Sequence, residues 1–440
     1  MILKYLYSCN NNSSLLENYS IVLFILAIMI GLSAWADKIR MSYPILLITA
    51  GIVIGFIPSM PAIELNPEIV LLIFLPPLLY DAAFNISFKS FKDNINTIST
   101  LAIGLVFLTA CGIAVMSYYF IPGMNWPLAF VLGAILSATD AVAAISITKG
   151  LGLSHNTATI LEGESLVNDA SALVAYRFAV AAVTGAAFVL WKASLIFLGL
   201  IFGGVLVGMI TGKILGFLLR AVRHNNLAVL SFMLLSPFVT YQIAEEFHVS
   251  GVIAVVILGL SVSRLSAQRF PEAIRNQSRT IWEVIIFLLN GFIFILIGLE
   301  LPIVTRSIDK SLIWPYIGYA FLITVAALLI RMARVFLQRI NLQRAFDSNS
   351  KSKRRRVTEA ALLTFQESVI ISWSGMRGIV SLAIAIGLPN TLETGEPFPM
   401  RAEIIFITIV VVIFTIVGQG LALPWIVKKM KIKTQEPLTL

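Results

Sequence analysis

Glu162-Gly-Glu-Ser-Leu-Val-Asn-Asp169 places three carboxylates, an amide and a hydroxyl within eight residues of one segment, 158–186. At about 100° per residue, Ser165 and Asp169 share a helical stripe one turn apart. Glu162 falls on the same stripe, while Glu164 and Asn168 form the neighbouring one. A single helix face thus offers oxygen ligands at coordinating density. The rest of the chain decides what surrounds that face.

Of 440 residues, 58% are hydrophobic and only 12% are charged, and the mean hydropathy is +0.91. Soluble domains carry roughly 25% charged residues, so this chain lacks the polar surface that water requires. Its apolar runs are long enough to cross a hydrocarbon layer about 30 Å thick. The fold class is therefore an all-α polytopic membrane protein. Thirteen spans are predicted, at 20–36, 43–58, 68–84, 98–120, 126–148, 158–186, 189–212, 226–244, 249–263, 280–299, 312–330, 366–388 and 403–427. The whole of 1–440 reads as one membrane domain with a short tail at 428–440.

Lysine and arginine in the loops orient the spans. With the C-terminus inside, 25 basic residues fall in cytoplasmic loops and five outside, with Arg177 and Arg377 left in the membrane. The expected topology is N-terminus out and C-terminus in. The net charge of +9 and the run Lys351-Ser-Lys-Arg-Arg-Arg356 then read as an inner loop facing anionic lipid, not as a nucleic-acid site. Cys9 and Cys111 are too few for a disulfide framework. His155, His224 and His248 lack zinc-ligand spacing. Ile2–Tyr7 is too short for a signal-peptide core, and no small-residue cleavage site follows.

An ionisable side chain in a bilayer costs roughly 2.5–3.5 kcal/mol or more, so each needs a partner, a water-filled cavity or a role. The span map leaves Asp81, Asp140, Glu162, Glu164, Asp169, Arg177, Glu283 and Arg377. Six of the eight are acidic, which points to a cation pathway. Ser137, Thr139 and Asp140 cluster in the middle of span five. In span twelve, Gly375 and Gly378 flank Arg377 and favour a broken helix. Spans five and twelve occupy comparable places in the two halves, as the discontinuous helices of inverted-repeat transporters do. A small hard cation prefers such oxygen ligands, and a carboxylate withdrawn from water takes up a proton more readily. Cation and proton then compete for one charge.

Structural readings stand beside these functional ones. Asp140 and Asp169 could belong to buried ion pairs. Arg377 fits a structural role, neutralising Glu164, better than contact with an ion. Glu162 is either solvated at the inner end of its span or part of the site. Arg177 reads as paired or facing a vestibule. Glu283 reads as a buried hydrogen-bonding group or an interface residue, and Asp81 as lining the cavity or sitting at the membrane edge.

Phe74-Leu-Pro-Pro-Leu-Leu79, Thr139-Asp140, Glu162–Asp169, Trp282-Glu283 with Asn290, and Trp373-Ser-Gly-Met-Arg-Gly378 together resemble the monovalent cation:proton antiporter family of NhaP and NHE type. The likeness runs over nearly the whole chain. It implies thirteen helices with two crossing broken helices, spans 5 and 12. Scaffold helices, which in this family also form the dimer, would lie in 20–97 and 189–300, and a moving ion-transporting core in 98–186 and 312–427. It implies Asp169 as the carrier, with Asn168, Thr139, Asp140 and Ser165 around a monovalent cation, Na+ first. It further implies Glu164 and Arg377 as a core ion pair, Asp81 reaching the site through water, and electroneutral exchange. Where the family usually has proline after Thr-Asp, this chain has Ala141.

The expected function is electroneutral sodium/proton exchange by alternating access, with potassium/proton exchange at the same residues as the near alternative. A cation channel is the alternative of another class, and no repeated pore element favours it. An intramembrane enzyme lacks both a HExxH and a GxSxG pattern. No cofactor and no nucleic acid are implied. The partners are membrane lipid and, by resemblance, a second copy of the chain. The short tail suggests a bacterial inner membrane.

Overall fold

The structure is a computed structural model that describes residues 23–35, 43–57, 67–86, 88–148, 154–185, 190–348, 362–392 and 395–430. Among these there is no strand, only an isolated bridge between Thr391 and Pro397. In lipid every backbone N–H and C=O must find a partner within its own segment, and a helix achieves this. The basic run 351–356, the segment carrying Cys9 and the tail from 431 lie outside the described residues.

The helices are α1 (Leu23–Trp35), α2 (Tyr43–Gly55), α3 (Pro67–Asn85) and the short α4 (Phe88–Asp93). α5 (Ile95–Phe120) contains a π turn at Thr100–Leu105. α6 (Trp126–Ser137) and α7 (Ala141–Thr148) are followed by α8 (His155–Val183), which carries the acidic motif. Next come α9 (Leu190–Ala221), α10 (Asn226–Glu246), α11 (Gly251–Arg269), α12 (Glu272–Arg306) and α13 (Ile313–Ser348). α14 (Phe365–Trp373) and α15 (Ile379–Ile386) precede α16 (Arg401–Met430), which has a π turn at Phe414–Gln419.

Among the described residues, seven helices are long and apolar enough to cross a membrane: α5, α8, α9, α10, α12, α13 and α16. α1, α2, α3, α6 and α11 are shorter apolar helices. Two expected spans, 126–148 and 366–388, each consist of two short helices separated by the non-helical stretches 138–140 and 374–378. Other expected boundaries fall short. α12 starts at Glu272 and α13 continues to Ser348, whereas the predicted spans begin at 280 and end at 330. A hydropathy window stops at the first cluster of charges. The backbone ladder does not, provided each charge finds water or a partner.

Helix packing follows small residues. α2 lies along α12 so closely that a methyl group on Gly298 would meet the backbone of Ile48, Gly51 and Ile52. α3, α9 and α10 all pack on α11. Separately, α6 packs between α5 and α8, and α13 contacts α5 and α16. α3 also touches α8 and α15, so it borders both groups of helices. The outer face of α9 presents Leu198, Phe202, Leu206 and Phe217, all exposed in the monomer.

Candidate functional site

The two non-helical stretches meet. The backbone N–H of Asp140 donates to Met376 O at 2.8 Å, and Ser381 Oγ donates to Ala138 O at 3.5 Å. α6 ends because Ala138 turns extended (φ −63°, ψ 137°). No proline is needed, because the hydrogen bond across to Met376 replaces a helical one. Four short helices therefore direct their ends toward one region, and each end carries uncompensated backbone dipoles.

Side chains answer those ends. Asp140 Oδ1 accepts from Ala143 N at 3.2 Å and Oδ2 from Ile379 N at 3.4 Å, so one carboxylate caps the amino ends of α7 and α15. Arg377 Nε donates to Leu136 O at 3.0 Å, at the carboxyl end of α6, and Nη1 donates to Gly375 O. The Arg377 backbone N–H donates to Thr415 Oγ1 at 3.1 Å, on the π turn of α16. Each interruption is thus neutralised by a charged residue of the other. Gly378 is essential to this approach: a Cβ there would meet the Asp140 carboxylate, lying 2.7 Å from its Cγ. Gly378→Ala is expected to cost about 1–3 kcal/mol of stability through overpacking and to displace the cap. The thermal midpoint of the purified protein checks this against Gly418→Ala, where nothing lies within 4 Å of the new methyl.

Behind the crossing lies a buried polar chain. Asn168 Nδ2 donates to Thr139 Oγ1 at 2.6 Å, and Thr139 Oγ1 donates to Glu164 Oε1 at 3.3 Å. Ser165 Oγ donates to Thr139 O at 3.2 Å. Glu164 is 1% exposed, and its carboxylate is clasped by Arg331, whose Nη2 lies 2.8 Å from Oε2 and whose Nη1 donates to Oε1. The expected pair of Glu164 with Arg377 is corrected here. Arg377 sits on a non-helical stretch where the nearest bare acceptors are carbonyls, and it serves those. Arg331 comes from α13, beyond where that span was expected to end, and also donates to Ile371 O at 2.9 Å.

Asp169 differs from every other acid in the region. It is 6% exposed, its Oδ1 has no hydrogen-bond partner, and among the described residues no basic side chain forms an ion pair with it. It faces a cavity of about 40 Å³ shared with Thr139, Asp140, Ser165, Gly378 and, from α3, Leu79. Since roughly 10–15 Å³ of such space is enough to hold one water molecule, the cavity has room for only a few. The Asn168 carbonyl oxygen is likewise buried without a partner. The cavity sets the uncompensated Asp169 carboxylate beside the helix-capping Asp140 carboxylate and the neutral oxygens of Thr139 and Ser165, a donor set suited to a hard monovalent cation or a proton.

Four predicted site residues, Thr139, Asp140, Ser165 and Asp169, line this cavity, and Asn168 braces it from behind. Asp81 is not in its lining; it accepts from Asn85 Nδ2 at 3.0 Å further along α3. Glu162 is half-buried. Glu283 is exposed, which sets aside the buried-group reading and leaves that of an interface residue. Arg177 is exposed and pairs with Glu245 of α10 at 3.0 Å.

Two buried residues escaped the sequence reading. Arg331 continues the buried stripe Ala320, Ile323, Ala327 and Val335 of α13, so helical periodicity carried past residue 330 would have found it. Glu367 accepts from Ser154 Oγ at 2.8 Å and from Thr364 N at 3.0 Å, joining the amino ends of α8 and α14. Its signal was the capping-box spacing from Thr364 to Glu367.

Comparison with known proteins gives a consistent result. The family described as "Sodium/hydrogen exchanger, transmembrane" matches residues 23–429. An uncharacterized Na(+)/H(+) exchanger of Mycobacterium tuberculosis is 33% identical over 93% of this chain and 73% of its own length. A sodium, potassium, lithium and rubidium/H(+) antiporter of Bacillus pumilus is 34% identical over 88% of this chain and 58% of its own length. The fold is similar to the sodium proton antiporter MjNhaP1 of Methanocaldococcus jannaschii, with a TM-score of 0.68 at 19% identity, covering 94% of this chain and 99% of that one.

Proposed function

Because the chain belongs to the sodium/hydrogen exchanger family, we propose that it exchanges one monovalent cation for one proton by alternating access, with Asp169 as the shared carrier. The observation that carries this reading is the charge inventory of the crossing. Glu164 is neutralised by Arg331, and Asp140 is engaged by two helix ends. Only Asp169 remains open to a guest. One open charge binds one cation or one proton, and an empty carrier is disfavoured because it leaves a bare charge in low dielectric. The cycle then moves no net charge.

In this reading the interrupted segments 126–148 and 366–388 are two crossing broken helices, the chain has thirteen spans, and its C-terminus faces the cytoplasm of a bacterial cell. The helices grouped around α11 and α12 form a scaffold, and those around α6, α8 and α15 form the moving core. The exposed apolar face of α9 supports a homodimer through the scaffold. Sodium is the first assignment. Potassium is the second, supported by the Bacillus relative whose name includes it.

The test is purified protein in vesicles, following collapse of an imposed pH gradient on addition of sodium, lithium, potassium or choline. Sodium, potassium or both are expected to collapse it and choline is not. The rate is expected to be the same with the membrane voltage free or clamped. A rate that rises several-fold on clamping would overturn the one-for-one stoichiometry.

A further inference from the structure

We propose that a second cavity, away from the carrier, binds a singly charged phosphodiester bearing hydroxyl groups, the chemistry of a glycerol-type phospholipid headgroup. The cavity has a volume of about 320 Å³ and lies where the end of α3 and the end of α11 meet the start of α12. This is within the range of ordinary ligand pockets. It opens on the side of the membrane to which the basic loops are assigned, where anionic headgroups concentrate around basic pockets.

Its walls are specific. Glu272, Arg275, Asn276 and Arg279 lie on one stripe of α12, spaced at helical repeats, and all face the cavity. Among the described residues neither guanidinium is in an ion pair. Opposite them, Ser266 of α11 is 2% exposed and its hydroxyl oxygen, buried in the wall, has no hydrogen-bond partner. A buried hydroxyl without a partner costs free energy unless something arrives to bond it. The arginines match a phosphate oxygen pair. Glu272 sets the rest of the ligand. With two cations and one anion, the site favours a monoanion over a phosphate dianion, and the carboxylate needs a donor, which a glycerol hydroxyl provides. A choline headgroup offers no such donor.

The site itself does not depend on the antiporter reading. One consequence does: Arg279 lines this cavity together with Asn85, whose Nδ2 donates to Asp81 at 3.0 Å, so an occupant that neutralises Arg279 changes the charge beside that carboxylate.

The experiment measures lipid retention by native mass spectrometry on the intact protein, delipidated and then supplied with phosphatidylglycerol or phosphatidylcholine. Deacylated glycerophosphoglycerol serves as soluble competitor. Phosphatidylglycerol is expected to be retained in preference. The double variant Arg275→Gln/Arg279→Gln is expected to weaken it tenfold or more, from two lost charge-assisted contacts, and Ser266→Ala several-fold. Arg220→Gln/Arg223→Gln, basic residues elsewhere on the same side, should leave retention unchanged. Competition by the soluble diester would support the headgroup chemistry, and equal affinity would assign the site to a free ester instead of a lipid. Equal retention of both lipids, or retention indifferent to Arg275 and Arg279, overturns the site. In phosphatidylglycerol vesicles the KM for the cation should fall several-fold for the natural protein but not for Arg279→Gln. An unchanged KM with intact retention overturns only the coupling.

Discussion

Asp169→Asn is expected to reduce cation-driven proton movement to that of protein-free vesicles, while the variant still purifies as a folded, monodisperse species. Asparagine has nearly the same shape, and the Oδ1 it retains has no partner to lose. The amide cannot carry a negative charge or take up a proton, so neither guest is held. A loss of folding is not expected, because no ion pair within the described residues depends on this carboxylate. Asp140→Asn is the informative contrast. Asparagine caps helices about as well as aspartate, but only one of its terminal atoms accepts, so one of the two helix ends loses its cap. Exchange should be weakened there and not abolished. Retained exchange in Asp169→Asn would remove the carrier assignment.

The second large effect concerns Arg331. Arg331→Met leaves Glu164 charged, buried and without its counter-ion, and breaking a buried pair from one side costs about 3–5 kcal/mol. The expected outcome is a sharp fall in thermal midpoint and in yield of monodisperse protein. Adding Glu164→Gln should recover most of the loss, since the uncompensated charge disappears. The double-mutant cycle also tests the partner assignment. Were Arg377 the true counter-ion of Glu164, Arg331→Met would be mild and the second substitution would rescue nothing.

What the sequence revealed and what it withheld divide along a physical line. Bilayer residence follows from composition, and the face of α8 follows from spacing along one helix, so both were legible. Thr139, Asp140, Ser165 and Asp169, which line one cavity, stood out in the sequence because intramembrane polarity is costly and therefore conspicuous. Partner choice was not legible. Arg331 and Arg377 are equally plausible clasps for Glu164 in one dimension, and the choice rests on where α13 ends, which hydropathy misplaces. The capping of two helix ends by Asp140 was also hidden, because capping depends on helix ends that a continuous apolar run does not mark. Glu283 stayed open between a buried group and an interface residue for a simpler reason: an expected span says nothing about which face of α12 looks outward.

The cavity beside Asp169 has a consequence for coupling. A space of about 40 Å³ has room for only a few waters, so an ion enters it only after shedding part of its hydration shell, and the protein's oxygens must replace what was lost. Bulky organic cations cannot follow, however well they match in charge. Under the proposed exchange, proton and metal ion compete for the one open charge of Asp169, and a newcomer is held only when the previous occupant has left.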